Sequence, residues 1–206
     1  MSRFFLLALL FLLSVFPVVA GDVAPKTVSL DTSETQKLNM FFTDFSAVSL
    51  KAFEAGKLTD KALIEFAIKH CDLNHPEFLE NESQLNAKHV DAVCKEHFGV
   101  APKKHQALPD QNPYANGKYT VYPSPCDEFV FSQIASLTDN GDATYTAKVN
   151  VYLAPPDFMG DVHAMPKVWK AAKQDVKLNA KMTAVIKKEN GNGSSHYVLL
   201  SLKEVK

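Results

Sequence analysis

The sequence predicts an α+β fold, with about three N-terminal helices followed by an antiparallel meander sheet of about five strands. Between residues 31 and 99, apolar residues recur at the three- and four-residue spacing of amphipathic helices. After residue 118 they alternate with polar residues instead, most regularly from Ala143 to Leu153. Helices in one half of a chain and strands in the other are typical of the α+β class.

The helical half, residues 31–99, carries signals for where its helices begin and end. A cap-forming side chain precedes each helical segment, at Asp31, Thr59 and Asn86. A proline breaks the chain at 74–76, and Gly99 is placed to stop the third helix. We expect the phenylalanines of the first helix to be core residues rather than the lining of a ligand groove.

The β-sheet half, residues 118–206, follows a proline-containing loop at 100–117. A hairpin around Asn140-Gly141 joins the two longest strands, because this dipeptide readily adopts the positive φ of a tight turn. Before the last two strands, Pro166 is placed to open a short helix that carries Trp169. In the strand before the Asn140-Gly141 turn, alternation predicts one shared face made of Phe129, Phe131, Ala135 and Leu137. In the last strand it predicts a shared face made of Val198, Leu200 and Leu202.

The first twenty residues have the form of a signal peptide. Arg3 precedes an apolar run from Phe4 to Ala20, and small residues stand where a signal peptidase cuts, just before Gly21. The competing interpretation is a membrane anchor, but the run is barely long enough to span a bilayer and no basic cluster follows it. We therefore expect residues 21–206 to form a single exported domain, periplasmic or secreted, with membrane contact only through the uncleaved signal during export.

The charged residues argue against nucleic-acid binding. The chain has 22 basic and 23 acidic residues. Loss of Arg3 with the signal leaves 21 basic and 23 acidic residues and a formal charge of −2, and every remaining basic residue is a lysine. Arginine is the preferred side chain for bidentate phosphate contacts and for stacking on bases. A slightly acidic chain without arginine is therefore a poor nucleic-acid binder.

The cysteines allow two interpretations. Cys71 and Cys94 lie on adjacent predicted helices, so in an oxidising compartment we expect them to form a disulfide. In the chain-entropy model this disulfide would stabilise the folded protein by about 3 kcal/mol. The alternative is a zinc site made of Cys71, His75, Cys94 and His97, because thiolates and imidazoles are the ligands that zinc prefers. Cys126 stands beside two acidic residues, and we expect it to be an inert residue at a strand edge.

The loop 157–163 holds the remaining group of potentially catalytic side chains. Asp157, Asp161 and His163 could bind a divalent cation or perform acid–base chemistry, as in a metal-assisted or acid–base hydrolase. A solvated loop whose aspartates fix turns is the simpler interpretation. The sequence contains no serine-hydrolase elbow, phosphate-binding loop or zinc-protease signature, so we expect no cofactor.

The exported address, the predicted sheet and the lack of catalytic motifs favour a non-enzymatic domain that binds a protein partner or a small-molecule ligand. We expect the curved sheet and the segment 154–178 to form the binding surface, with Trp169 as a candidate contact residue. The hydrolase built on the 157–163 loop is the alternative function.

Overall fold

The structure is a computed structural model, and it describes residues 24–109, 112–122, 128–191 and 194–205. The predicted signal peptide, residues 1–20, and Cys126 lie outside the described residues. In the part of the chain that the structure describes, no helix is both long enough and apolar enough to cross a membrane.

Four helices and nine strands are numbered here in chain order. The helices are α1 (Thr32–Ala47), α2 (Asp60–Asn74), α3 (Ala87–Phe98) and α4 (Pro166–Ala171). The strands are β1 (Lys26–Val28), β2 (Leu79–Glu80), β3 (Gln84–Asn86), β4 (Tyr114–Ala115), β5 (Lys118–Thr120), β6 (Phe129–Asp139), β7 (Thr144–Ala154), β8 (Lys177–Gly191) and β9 (Ser194–Glu204). The predicted α+β fold class is confirmed.

The three long helices begin at the predicted caps. The carboxylate of Asp31 accepts a hydrogen bond from the Glu34 N–H (2.8 Å). Thr59 and Asn86 cap α2 and α3 in the same way, at 3.2 Å and 3.0 Å. Gly99 ends α3 with φ of 70°, a conformation that a side chain disfavours. Local sequence therefore set the boundaries of the helices, because capping depends only on residues within one turn.

The large sheet has the strand order β1-β6-β7-β8-β9 and is antiparallel throughout. Its last four strands form the predicted meander. The fifth strand is β1 rather than the predicted strand at residues 118–122. Residues 118–120 instead join a second, four-stranded sheet of order β2-β3-β5-β4 that packs beside α3. The Asn116-Gly117 turn, with φ of 51° and 76°, folds β5 back onto β4 and so favours this local pairing.

Three irregularities in strand pairing bend the large sheet, and two of them overturn the predicted faces. Ala135 is an extra residue between Ile134 and Ser136, so Leu137 lies on the opposite face from Phe131. Leu200 is likewise unpaired in β9. Tyr197, Leu199 and Leu202 consequently share the buried face, in place of the predicted set. A period of two predicts faces only up to the first bulge, since each extra residue reverses the alternation.

The larger apolar core lies between the helical layer and the inner face of the large sheet, so it joins the two halves of the chain. Its fully buried members include Leu38, Phe42, Phe45, Ile64, Phe66, Val90, Leu137, Ala147, Ala184, Ile186 and Leu199. A smaller core of Phe131, Tyr152, Ala154 and Trp169 lies on the outer face of β6 and β7, under α4 and the loop before it. This smaller core covers the outer face of the sheet at the end where β6 begins and β7 finishes.

Helix α1 also protects the part of β6 that has no neighbouring strand. Among the described strands, β1 pairs with residues 137–139 of β6 and none pairs with the preceding residues on that side, so the backbone there is an open edge. Asn39 and Thr43, one turn apart on α1, accept hydrogen bonds from the backbone N–H groups of Ile134 (2.8 Å) and Ser132 (3.0 Å). Two helix side chains therefore satisfy the donors that an extra strand would otherwise bind.

Candidate functional site

A concave cavity of about 580 Å³ lies between α1 and the inner face of the large sheet, near one end of that sheet. β6 and β8 begin at this end and β7 and β9 finish there, while the last turns of α1 and the segment 49–52 form the opposite wall. The lining consists of Phe42, Phe45, Ser46, Ser49, Leu50, Lys51, Ala52, Glu128, Val130, Ser132, Val149, Val151, Leu153, Asn179, Ala180, Met182, Leu202 and Glu204.

The floor of the cavity is apolar because inward-facing residues of adjacent strands meet there. Val149 and Val151 of β7 are paired with Met182 and Ala180 of β8, and all four side chains point to the helical face. An extra residue, Asn179, interrupts the β7–β8 register just beyond this point. Bulges bend strands, so this end of the sheet curves away and leaves room beneath α1.

Polar residues line the cavity on both sides, with Ser46, Ser49 and Lys51 on the α1 side and Glu128, Ser132, Asn179 and Glu204 on the sheet side. The Ser132 hydroxyl donates to the Ser46 hydroxyl (2.9 Å), which links β6 to α1 inside the cavity. Lys51, Glu128 and Glu204 contribute one positive and two negative charges to the lining. An apolar interior with few placed polar groups is the usual chemistry of a small-molecule site.

The structure places Trp169, the candidate contact residue, in the interior instead of on a surface. Its side chain is 2% exposed and packs edge-on against the rings of Phe131 and Tyr152. The indole N–H donates to the Asp161 carbonyl oxygen (2.8 Å). Trp169 therefore holds the 155–176 segment against the outer face of the sheet, on the far side from the cavity.

The loop 157–163 does not bring its acidic side chains and histidine together around a common point. The Asp161 carboxylate accepts a hydrogen bond from the His163 backbone N–H (2.8 Å), which fixes the turn. The His163 ring points to α1, where its Nδ1 lies 3.2 Å from Asn39 Nδ2. Asp157 is exposed on the loop surface. These contacts position the loop rather than assemble a reaction centre.

Cys71 and Cys94 are buried free thiols in the structure, in place of the predicted disulfide. The Cys94 thiol donates to the Leu63 carbonyl oxygen (3.4 Å), one helix away. Burial raises the pKa of Cys71 to about 12 and raises the pKa of Cys94 further still. Both thiols are therefore protonated at neutral pH in this arrangement.

The structure does bring together a group that the sequence analysis did not assemble. Asp44 of α1, His70 of α2 and His97 of α3 converge where the three helices meet, with one potential ligand atom from each within 4.8 Å of the others. Asp44 Oδ2 lies 3.2 Å from His97 Nε2, and Asp44 Oδ1 lies 4.0 Å from His70 Nδ1. Both histidines are buried, whereas the Asp44 side chain is 27% exposed.

Neighbouring groups orient both imidazole rings. His97 Nδ1 lies 3.0 Å from the Val93 carbonyl oxygen, so this nitrogen carries a proton and donates it. His70 Nδ1 accepts from the Asn74 side-chain amide (3.1 Å). Burial, and then the charge of His97, lower the pKa of His70 to about 4, so that ring is neutral at physiological pH.

Of the four alternative zinc ligands, only His97 belongs to this group. His75 lies outside it, with its Nδ1 2.9 Å from a Glu77 carboxylate oxygen and its ring stacked on Phe78. The sequence contained a signal for two members of this group, since His70 and His97 each stand on the apolar face of a predicted helix. Asp44 carries no such signal, because only the packing of α1 across the other two helices brings it there.

No protein-family model, curated protein or solved structure matches this chain.

Proposed function

We propose that this protein is an exported, non-enzymatic domain that binds a small, mainly apolar molecule in the cavity between α1 and the large sheet. The observation that supports the proposal is the cavity of about 580 Å³ with an apolar floor from β7 and β8. This volume falls within the roughly 300–1,000 Å³ that small-molecule sites occupy.

The shape of the cavity favours a small molecule over a protein partner. Protein partners usually need a patch of about 800 Å² on each side, and this cavity is a recess closed by α1 on one side and by the sheet on the other. The charged side chains of the cavity are one lysine and two glutamates, which do not form a basic surface, and the exported chain has no arginine. We therefore expect an occupant with an apolar body and a polar end near Lys51, Glu128 or Glu204.

The side chains of the cavity support binding rather than catalysis. Among the described residues that line it there is no histidine, cysteine or aspartate. The Ser132 hydroxyl donates to Ser46, and the Ser46 hydroxyl donates to the Thr43 carbonyl oxygen, so neither is hydrogen-bonded to a general base. A nucleophile without a base is weak, so this site lacks the elements of acyl or phosphoryl transfer chemistry.

Filling the cavity is expected to abolish binding. In Ala180→Trp, an indole would occupy the space above Val151 and Met182, so the affinity for the neutral apolar dye Nile red should fall by about tenfold or more, or about 1.4 kcal/mol. Fluorescence titration of the folded protein measures this affinity. A neutral dye is chosen because two carboxylates line the cavity.

Ala135→Trp is the matched control, because Ala135 is an exposed bulge residue of β6 outside the cavity. This variant should bind Nile red as the unaltered protein does. Equal affinities for all three proteins, with near-ultraviolet circular dichroism showing that each is folded, would contradict the proposed site.

Export is expected to release a chain that begins at Gly21. N-terminal sequencing or intact mass of the protein recovered from outside the cytoplasm checks this, because removal of residues 1–20 produces one defined mass. Replacing Ala20 with a bulky residue such as tryptophan should block cleavage at that bond, since the peptidase requires a small residue there. Recovery of the uncleaved chain in the cytosol would show that the protein is not exported.

A further inference from the structure

We propose that Asp44, His70 and His97 form a binding site for a divalent transition-metal ion of the zinc type. The site is separate from the cavity and does not depend on the ligand proposed for it. One carboxylate and two imidazoles from three different helices are a donor set that zinc favours, in contrast to the all-oxygen sets of calcium and magnesium.

The spacing of the donor atoms suits a single ion. With zinc ligands at 2.0–2.1 Å in a tetrahedron, adjacent donors are about 3.3 Å apart. The Asp44 Oδ2 to His97 Nε2 distance of 3.2 Å already matches this value. The Asp44 Oδ1 to His70 Nδ1 distance of 4.0 Å needs a shift of less than 1 Å, which rotation of the carboxylate or of the ring supplies.

The hydrogen bond of His97 aims a lone pair at the proposed ion. With its proton on Nδ1 and directed to the Val93 carbonyl, a neutral His97 presents the unprotonated Nε2 to the Asp44 carboxylate. Two acceptors 3.2 Å apart repel each other unless a positive charge lies between them. That charge is either a proton, which makes an imidazolium–carboxylate pair, or a metal ion, and the experiment below separates the two.

His70 supplies a second neutral imidazole. The ring is buried, and its Nδ1 accepts a hydrogen bond in the absence of metal, so this nitrogen presents a lone pair. The Asn74 amide lies 3.1 Å from His70 Nδ1, the nitrogen nearest to Asp44. A cation bound at Nδ1 must therefore displace an amide that belongs to an exposed residue.

The site is reachable from solvent through one side only. Asp44 is partly exposed, while both histidines are buried behind it against Phe66 and Phe45. Three protein ligands with one side open leave a fourth position for water. The thiols of Cys71 and Cys94 remain protonated and are not needed in this set.

Zinc is expected to raise the thermal midpoint of the purified protein. At a free Zn²⁺ concentration about one hundredfold above the dissociation constant, a chain of this size should gain about 5–10 °C. His97→Gln and Asp44→Asn, which keep the approximate volume of each side chain, should weaken zinc binding by about 100-fold or more and abolish this gain. Isothermal titration calorimetry measures the affinity directly.

His105→Gln is the matched control. His105 Nε2 lies 3.1 Å from Asp91 Oδ1, so this residue also takes part in a histidine–aspartate contact, but without a second histidine. Its loss should leave the zinc affinity unchanged within about twofold. A reduction equal to that of His97→Gln would show that zinc binds surface histidines without selection, and would overturn the proposal.

Two further measurements distinguish metal ligation from a purely structural role. Asn74→Ala removes the amide that competes for His70 Nδ1, so it should tighten zinc binding by several-fold, an effect that loss of structure cannot produce. Cobalt(II) substituted for zinc should show the visible bands of a tetrahedral site without a thiolate charge-transfer band. A strong thiolate band would instead assign the metal to Cys71 and Cys94, and failure to bind zinc or cobalt would leave only the imidazolium–carboxylate pair.

Discussion

Phe66→Ala is expected to destabilise the folded protein by about 3–5 kcal/mol, the usual cost of removing a buried ring and leaving a cavity. Phe66 is 2% exposed, and its ring packs on Phe45 (centroids 5.2 Å apart) and edge-on against Phe98 (4.8 Å). The same ring lies against His70 and His97, so its loss also removes a wall of the histidine cluster. Urea unfolding followed by circular dichroism measures the change in the free energy of unfolding.

Leu73→Ala on the same helix is the control for Phe66→Ala. Leu73 is 46% exposed, and surface truncations usually change stability by less than about 0.5 kcal/mol. The two variants therefore separate packing from helix propensity, since both introduce alanine into α2. A loss for Phe66→Ala of under about 1 kcal/mol would mean that the three helices do not share the core described here.

Asn39→Leu is expected to cost about 2–3 kcal/mol, although leucine has the same number of side-chain heavy atoms as asparagine. Asn39 is 3% exposed, and its side-chain oxygen is the acceptor for the Ile134 N–H. Leucine leaves that buried donor without a partner and also removes the contact with His163. Urea unfolding gives the free-energy change, and hydrogen exchange at the Ile134 amide should become faster.

His163→Ala tests which contact of Asn39, that with Ile134 or that with His163, accounts for the loss of stability. This variant keeps the Ile134 bond and loses only the link from α1 to the 155–176 segment, so it should cost less than about 1 kcal/mol. Equal losses for His163→Ala and Asn39→Leu would show that α1 holds the loop and does not protect the edge of β6.

The two proposed sites share one helix. Asp44 faces α2 and α3, while the adjacent residues Phe45 and Ser46 line the cavity on the sheet side. Consecutive positions on a helix point in directions about 100° apart, which allows one turn to serve both sites. Variants at Ala180 therefore test the cavity alone, and variants at His97 or Asn74 test the metal site alone.

The fold class, the helix boundaries and the strand order of the meander were predictable from the sequence because each depends on neighbouring residues. The caps at Asp31, Thr59 and Asn86 and the stop at Gly99 act within a single turn. The alternation from Ala143 to Leu153 reports a half-buried strand wherever that strand is placed. The short helix opened by Pro166 was also predicted and is confirmed.

The tertiary structure alone decided what comes together across the chain. The bulges at Ala135 and Leu200 reversed two predicted faces, since pairing with a neighbouring strand determines where an extra residue is accommodated. The cavity exists because α1 and the strands of the large sheet, which are distant in sequence, face each other in the fold. The Asp44–His70–His97 group depends on three helices meeting at one point. Periodicity shows which face of an element is buried, but it contains no information about which distant side chain lies opposite that face.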